Sequence, residues 1–188
     1  ERLTKIVAAE GELNEEDLIK EEQMVVALTH FGYIKRMPID TYKSQKRGGK
    51  GISGISTREE DFVKQIFTTS THDTVLFFSN KGKLYRLRGY EIPEAGRTAK
   101  GTAIVNLLSL DAGEKISAVI PISDFEDSKY LLMATKNGLI KKTPLQEYNS
   151  TRKTGLLAIN LKDDDELIDV RLTDGQDNVV LVTSKGLC

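Results

Sequence analysis

The chain is predicted to be an all-β protein built from repeats, and three observations lead to this prediction. An apolar run, a glycine turn and a basic strand recur along the sequence, with turn glycines at positions 32, 82, 138 and 186, which are 50, 56 and 48 residues apart. A period of this length is typical of architectures in which each unit buries its apolar face against the next. The runs are rich in β-branched and aromatic residues, and glycine, asparagine and aspartate bound them. Helical patterns are scarce.

Each repeat is predicted to hold about four strands. The first two form a hairpin around the turn glycine, at residues 24–36, 75–86 and 130–142. A basic, glycine-bearing loop leads into a third strand, and the fourth strands are expected at 63–67, 116–122 and 167–172. Asn137-Gly138 is the dipeptide that two-residue hairpin turns prefer, because both positions need positive φ. The runs at 25–28 and 131–134 are nearly continuous, which suits strands covered on both faces.

The repeats also predict where the domain begins. Residues 1–23 are expected to be a linker with a short helical lead-in, and residues 24–188 the repeat domain, with repeats starting near 24, 73, 129 and 177. A helical turn is predicted at 14–19, with Asn14 as its N-cap and three acids in its first turn. Because the fourth repeat stops after its turn, we expect the domain to be incomplete.

Composition bounds the class of protein. At 188 residues and 39% hydrophobic content the chain can bury a sizeable core. It has no apolar stretch near the roughly 18 residues that a membrane span needs, so we expect no membrane partner. The single cysteine, Cys188, cannot form an internal disulfide, and no signal-peptide pattern begins the sequence. We therefore expect a cytoplasmic location.

The charges alternate in phase with the repeats. The formal net charge is −1, yet residues 33–51 carry +5, and residues 81–101 and 136–153 carry +4 each. Acidic stretches separate these segments. Because equivalent positions of a repeat occupy equivalent places, we expect the basic segments to line one rim and the acidic ones another. A basic rim is the electrostatic footprint of a polyanion partner, whereas a single charge run is more often a solvated face.

One copy carries a loop that the others lack, Gln45-Lys46-Arg47-Gly48-Gly49-Lys50-Gly51. Its glycines let backbone amides approach a phosphate closely, while its three cations and the glutamine supply charge and a neutral donor. It is not a nucleotide-binding P-loop, because Gly51 follows Lys50 where that motif has Ser or Thr. The loop therefore predicts contact with a phosphate backbone rather than with bases.

This seven-residue motif resembles the box of the C-terminal domain of gyrase A, the DNA-cleaving component of DNA gyrase, a type IIA topoisomerase. The segments 16–19 and 32–36 are also similar to that domain, and the resemblance covers essentially the whole chain. The one departure is Lys46, where the family usually has arginine; lysine keeps the charge but lacks the planar fork that suits phosphate.

The resemblance implies a β-pinwheel, a propeller-like disc of four-stranded blades, with about three and a half of a probable six blades in this chain. It implies non-sequence-specific binding and wrapping of double-stranded DNA around the basic rim, which lets the ATP-dependent gyrase introduce negative supercoils. The implied partners are the remainder of gyrase A, together with gyrase B in a heterotetramer, in the bacterial nucleoid. No cofactor is implied in this chain, since ATP and Mg²⁺ are used elsewhere in the holoenzyme.

The expected DNA contacts are the box and the basic residues of the three segments. They are Gln45, Lys46, Arg47, Gly48, Gly49, Lys50 and Gly51, then Lys35, Arg36, Lys83, Arg86, Arg88, Arg97, Lys100, Lys141, Lys142, Arg152 and Lys153.

Other chemistries find no support in the sequence. His30 and His72 have no partners at zinc-ligand spacing, and a calcium loop would need spaced ligands and a glycine that the acidic run 163–166 lacks. Tyr42, Tyr90 and Tyr148 recur at related repeat positions, as packing residues do, so no catalytic site is expected.

Two alternatives remain open. One is the equivalent C-terminal domain of topoisomerase IV, whose box is degraded. The other is a protein-binding propeller, although such domains of the WD type carry a Trp-Asp signature and this chain has no tryptophan.

Overall fold

The computed structural model describes residues 15–42, 61–125, 128–149 and 155–186. Over these residues the chain forms strands and short 3-10 turns, without an α-helix, so the all-β prediction is confirmed. The strands are β1 (Gln23–Thr29), β2 (Tyr33–Pro38), β3 (Val63–Ser70), β4 (Thr74–Ser79), β5 (Lys83–Arg88), β6 (Thr102–Ala103), β7 (Ile116–Ile122), β8 (Tyr130–Thr135), β9 (Ile140–Pro144), β10 (Leu156–Leu157) and β11 (Leu167–Thr173). The 3-10 turns are Glu15–Leu18, Ile39–Tyr42, Gly89–Glu91, Ile104–Asn106 and Leu145–Tyr148.

The two ends of the chain agree with the expectation to different degrees. A helical turn does lie where one was predicted, at Glu15–Leu18, while its predicted cap Asn14 is outside the described residues. The fourth repeat keeps its glycine turn, since the Gly186 amide donates to the Thr183 carbonyl at 2.9 Å. The apolar run before this turn forms no strand, because nothing in the described part of the chain pairs with it.

The repeats exchange strands. The chain forms three antiparallel sheets with strand orders β3-β1-β2-β6, β10-β5-β4-β7 and β11-β8-β9. β6 comes from the second repeat but pairs with β2 of the first, and β10 comes from the third repeat but pairs with β5 of the second. The second and third repeats each hold the four predicted strands, but the strands of one sheet come from two successive repeats. A two-residue strand has no pattern of its own that would name its partner.

One edge strand of each sheet lies at the centre of the assembly. β7 lies between β3 and β11, and side chains link the three. The Gln65 amide donates to the Val119 carbonyl at 2.7 Å, and the Ser117 hydroxyl donates to the Leu167 carbonyl at 2.7 Å. The exchanged strands β6 and β10 are at the opposite, outer edges of their sheets.

The middle sheet is buried on both faces, and this joins the three sheets. Val75 and Phe77 of β4 pack against the first sheet, whereas Leu76 and Phe78 pack against the third. Each of these side chains is fully buried, and such a burial stabilises a fold by about 1.5–3 kcal/mol. The predicted cover on both faces is confirmed for β1 and is shared by β4, but β8, for which it was also predicted, alternates between buried and half-buried residues.

A hydroxyl and a carboxylate brace the hairpin turns. The hydroxyl oxygens of Thr29, Ser79 and Thr135 each accept the backbone amide four residues later, at 3.1, 3.2 and 3.1 Å. Asp61 accepts the amides of Phe31 in the first hairpin and of the adjacent Phe62 at 3.0 and 2.9 Å, and Asp165 accepts the amides of Asn137 and Glu166 in the third repeat at the same distances. The acidic run 163–166 is thus a solvated turn except for Asp165, which is buried.

These two carboxylates favour their ionised form. Burial by itself would raise the pKa of Asp61 and of Asp165, but hydrogen bonds from a threonine hydroxyl and two backbone amides outweigh it. The pKa of each carboxyl is therefore lowered from its ordinary value.

We expect this lowering to make the fold sensitive to acid. A carboxyl with a depressed folded pKa stabilises the fold above its unfolded pKa, about 4, and this stabilisation is lost as the pH falls through the folded pKa. The unfolding free energy, measured by urea titration, should fall below pH 4, and less steeply in an Asp61→Asn/Asp165→Asn variant. Asp163→Asn, at an exposed acid of the same turn, is the control. A double variant with the wild-type pH slope would contradict this assignment.

The turn glycines should differ in their tolerance of alanine. Gly82 and Gly138 both have positive φ, at 75° and 84°. A Cβ on Gly82 would lie 2.6 Å from the Ile159 carbonyl, whereas one on Gly138 meets nothing within 4 Å. We expect Gly138→Ala to cost about 1–2 kcal/mol of unfolding free energy from backbone strain, and Gly82→Ala about 1–3 kcal/mol more from the clash. Equal costs in urea unfolding would show that the clash is relieved.

Candidate nucleic-acid interface

Each repeat places one cation at the same register of the strand that lies two positions out from the central strand. Arg36 lies opposite Val26 in the first sheet, Arg86 opposite Leu76 in the second, and Lys142 opposite Leu132 in the third. The strands that carry these cations, β2, β5 and β9, lie two positions out from the central strands. The in-phase charges of the sequence therefore recur at equivalent places of the fold.

Lys35, the neighbour of Arg36, points into the protein. Its side chain is only 2% exposed, and its ammonium donates to the carbonyls of Gly96, Arg97 and Ala99 at 3.2, 2.8 and 2.5 Å. Burial lowers the pKa of this lysine. A direct phosphate contact by Lys35 does not fit this geometry, because all three donors of the ammonium are already used.

Arg36 also binds the chain of the next repeat. Its Nε donates to the Ile92 carbonyl at 2.7 Å, and its guanidinium pairs with Glu94 at 3.2 Å. Its backbone amide donates to the Pro93 carbonyl at 3.0 Å, and its carbonyl accepts the Ala95 amide at 3.1 Å. Arg36 therefore holds the start of the second repeat's basic loop and offers little free charge.

Two further predicted contacts are in ion pairs. Lys83 pairs with Asp111 at 2.5 Å, and a hydrogen bond from the ammonium to this carboxylate raises the pKa of the lysine. Arg88 pairs with Glu16 at 3.1 Å and also donates to the His72 carbonyl and the Thr74 hydroxyl at 3.1 Å. Arg88 thus ties the lead-in segment to β4. The acidic and basic segments expected from the sequence meet at the ion pair between Lys83 and Asp111. Because both side chains are partly exposed, this ion pair is weak and its partners are exchangeable.

The third repeat presents its cations more openly. Lys141 and Lys142 are exposed. The Lys141 ammonium donates to the Ala158 carbonyl at 3.1 Å, and the Lys142 ammonium lies 4.6 Å from the centre of the Tyr130 ring. Each keeps donors that a phosphate oxygen could accept.

The freest cations belong to the second repeat. The side chain of Arg86 is half-buried and makes no hydrogen bond or ion pair within the described ranges, and the side chain of Lys100 is exposed and equally unpaired there. Arg97 is half-buried, and its Nε is buried without a hydrogen-bond partner in the described structure. Arg86 and Lys100 are therefore the groups that a phosphate backbone along the outer edge would meet first.

The remaining predicted contacts lie outside the described residues. They are Gln45, Lys46, Arg47, Gly48, Gly49, Lys50, Gly51, Arg152 and Lys153. They stay predictions from the sequence.

The histidines and tyrosines considered as zinc ligands or nucleophiles make packing contacts and hydrogen bonds within the fold. His30 stacks on Phe62 with ring centres 4.7 Å apart, and a ring nitrogen of His72 lies 2.8 Å from the Ile19 carbonyl. Tyr148 is buried, with its hydroxyl donating to the Ala158 carbonyl at 3.1 Å, as a packing residue would. In the described part of the chain no group of three or more His, Cys, Asp or Glu residues could hold a metal ion. No helix there is long and apolar enough to cross a membrane.

Comparison with known proteins identifies the family. The sequence model described as DNA gyrase C-terminal domain, beta-propeller, matches residues 23–70, 73–123 and 129–174. The gyrase A protein of Clostridium acetobutylicum is 58% identical over 187 residues, which are 100% of this chain and 22% of that relative. The chain thus spans about a fifth of the length of the curated relatives it matches.

Two solved structures share the fold. The C-terminal domain of DNA topoisomerase IV superposes with a TM-score of 0.71 at 34% identity, over 84% of this chain and 47% of that one. A DNA gyrase A C-terminal domain superposes with a TM-score of 0.62 at 31% identity, over 81% of this chain and 48% of that one. The propeller fold is therefore confirmed, and the three matched segments of the family model coincide with the three repeats. The chain belongs to the family of DNA gyrase C-terminal domains.

Proposed function

We propose that this chain binds duplex DNA along the outer edge of its sheets and wraps it, without sequence preference, for a DNA gyrase. The observation that carries the proposal is the recurrence of a cation at one register of three successive sheets, where Arg86 and Lys142 keep donors for a partner and Arg36 is held by the second repeat. Repetition of a cation at equivalent places suits a partner whose charge also repeats, and duplex DNA carries one negative charge per roughly 1.7 Å of its axis.

The chemistry of the edge favours contacts to phosphate. Arg86 and Lys100 have unused donors, and Lys141 and Lys142 keep some of theirs. Such groups bind phosphate oxygens, release counterions and carry no base code, so binding is uniform over sequences. Contacts distributed over successive sheets offset the cost of bending the duplex, as in other proteins that wrap DNA through its backbone.

The box is proposed to act differently from the rest of the edge. Gln45 to Gly51 combine three glycines with three cations in one short loop, so backbone amides and side chains can bind one phosphate group together. We propose that this loop clasps the duplex at a fixed point and closes the wrap, whereas single edge lysines are interchangeable.

The wider assembly follows from the family. The partners are proposed to be the remainder of gyrase A, together with gyrase B in a heterotetramer that acts in the bacterial cytoplasm. ATP and Mg²⁺ are proposed to act elsewhere in that enzyme, which uses the wrap to introduce negative supercoils. Residues 1–23 are proposed as linker and lead-in, and residues 24–188 as the incomplete pinwheel.

The alternatives differ in observable ways. A topoisomerase IV domain is supported by the similarity of one solved structure, while the family model and the gyrase relatives favour gyrase. A protein-binding propeller would bind DNA weakly or with no steep dependence on salt.

We expect the chain to bind mixed-sequence duplex DNA with a steep salt dependence and to leave supercoiled plasmid uncut. The logarithm of the binding constant should fall against the logarithm of salt concentration with a slope of about −0.9 for each phosphate neutralised, with several phosphates in total. Fluorescence titration at a series of salt concentrations measures the slope. A flat salt response, or cleavage of plasmid by the purified chain, would contradict the proposal.

Substitutions in the box and substitutions at the outer edge should have different effects on the complete gyrase. Lys46→Ala/Arg47→Ala/Lys50→Ala is expected to abolish negative supercoiling while sparing relaxation and much of the DNA affinity. The matched triple Arg86→Ala/Lys100→Ala/Lys142→Ala removes the same charge from the edge. It is expected to reduce the salt slope by about 3 and to keep some supercoiling.

Plasmid supercoiling beside DNA titration measures both effects for each variant. If the two triple variants lose supercoiling and affinity in equal proportion, the box has no special role.

A further inference from the structure

The basic loop of the second repeat has no core of its own, and a lysine from the first repeat fills its centre. The carbonyls of Gly96, Arg97 and Ala99 converge on the Lys35 ammonium, at 3.2, 2.8 and 2.5 Å. One backbone hydrogen bond, from the Ala99 amide to the Gly96 carbonyl at 3.0 Å, lies within this loop. The loop conformation therefore depends on a cation that comes from the neighbouring sheet.

The burial of this cation makes the contact strong. Lys35 is 2% exposed, and an ammonium removed from water is tolerated only when its donors are satisfied. Its three donors match three carbonyls, which would in turn lose their partner if the ammonium were removed.

Both ends of the loop are fixed on the same strand. Before the loop, Arg36 pairs with Glu94 and donates to the Ile92 carbonyl. After it, Gly101 has φ +86°, and a Cβ there would lie 2.6 Å from the Ile34 carbonyl, so the chain passes close to β2. With its ends and its centre fixed, the loop keeps freedom mainly in its side chains.

The strand position that Lys35 occupies holds different residues, with different surroundings, in the other two repeats. Lys35 aligns with Tyr85 and Lys141 when the turn glycines are superimposed. Tyr85 also meets the following repeat, since a Cβ on Gly155 would lie 3.0 Å from its ring. Lys141 is exposed, and within the described residues its ammonium makes one hydrogen bond, to the Ala158 carbonyl of its own repeat. Two lysines that look equivalent in sequence therefore have different surroundings.

The geometry points to Lys35 as a positioning residue for DNA binding, one that holds the loop of the next repeat so that Arg97 and Lys100 face the duplex. This inference rests on the proposed function. Lys35 acts without touching phosphate, and its removal should cost the contacts of two other cations.

A double-mutant cycle on DNA binding tests this role. The variants are Lys35→Met, Arg97→Ala/Lys100→Ala, and the combination of all three, titrated with mixed-sequence duplex at a series of salt concentrations. We expect Lys35→Met to lower the salt slope by up to about 2, the value for two lost contacts. In the combined variant Lys35→Met should add less than a twofold further loss of affinity, because the residues through which it acts are gone.

Two controls separate position from charge. Lys141→Met removes the same charge from the aligned, exposed position and should lower the slope by at most about 1. Gly101→Ala removes no charge, yet it should lower the slope by moving the loop, and it carries the test if Lys35→Met fails to fold. Hydrogen exchange should show loss of protection at residues 97–103 in Lys35→Met and not in Lys141→Met.

The outcomes are distinct. A wild-type slope for Lys35→Met and Gly101→Ala, or multiplicative losses in the combined variant, would overturn the positioning role. A wild-type chain that binds duplex without salt dependence would overturn the proposed function and the DNA-binding half of this inference. Hydrogen exchange would still decide whether Lys35 orders the loop.

Discussion

The exchange of strands between repeats is the constraint on which the rest of the structure depends. β6 and β10 each complete the sheet of the preceding repeat, so no sheet of four strands is made by one repeat alone. Because the exchanged strand lies at the outer edge, the basic loop before it must run along that edge. The strand pairing that joins the blades is thus also what presents the second repeat's cations to solvent.

Much of this fold is visible in the sequence because it is local. Turn glycines, apolar strands and their period follow from short-range sterics and burial, and the three hairpins lie where they were predicted. The exchange was not predictable, because Thr102–Ala103 and Leu156–Leu157 are too short to have a pattern. Their pairing is decided by the space left at the edge of a neighbouring sheet.

The candidate site, like the fold, could be predicted from the sequence only in part. The sequence predicts which segments are basic, but successive strand residues face opposite sides, so a charge tally cannot separate Lys35 from Arg86. Burial and three carbonyls make the first a structural cation, while the second stays unpaired within the described structure. The buried acids Asp61 and Asp165 were likewise hidden in acidic runs. Their recurrence just before the last strand of a repeat was the available signal.

In the proposed mode of binding, duplex DNA contacts the outer edge of the sheets and not the side on which the hairpin turns lie. Site-specific photo-cross-linking tests it directly, with one cross-linking side chain placed at position 100 on the outer edge and another at position 163 beside the buried Asp165. Both positions are exposed, so neither substitution disturbs the core. Salt-sensitive cross-linking to duplex DNA from position 100, with little from position 163, is the predicted result. Equal yields, or a preference for position 163, would contradict binding along the outer edge.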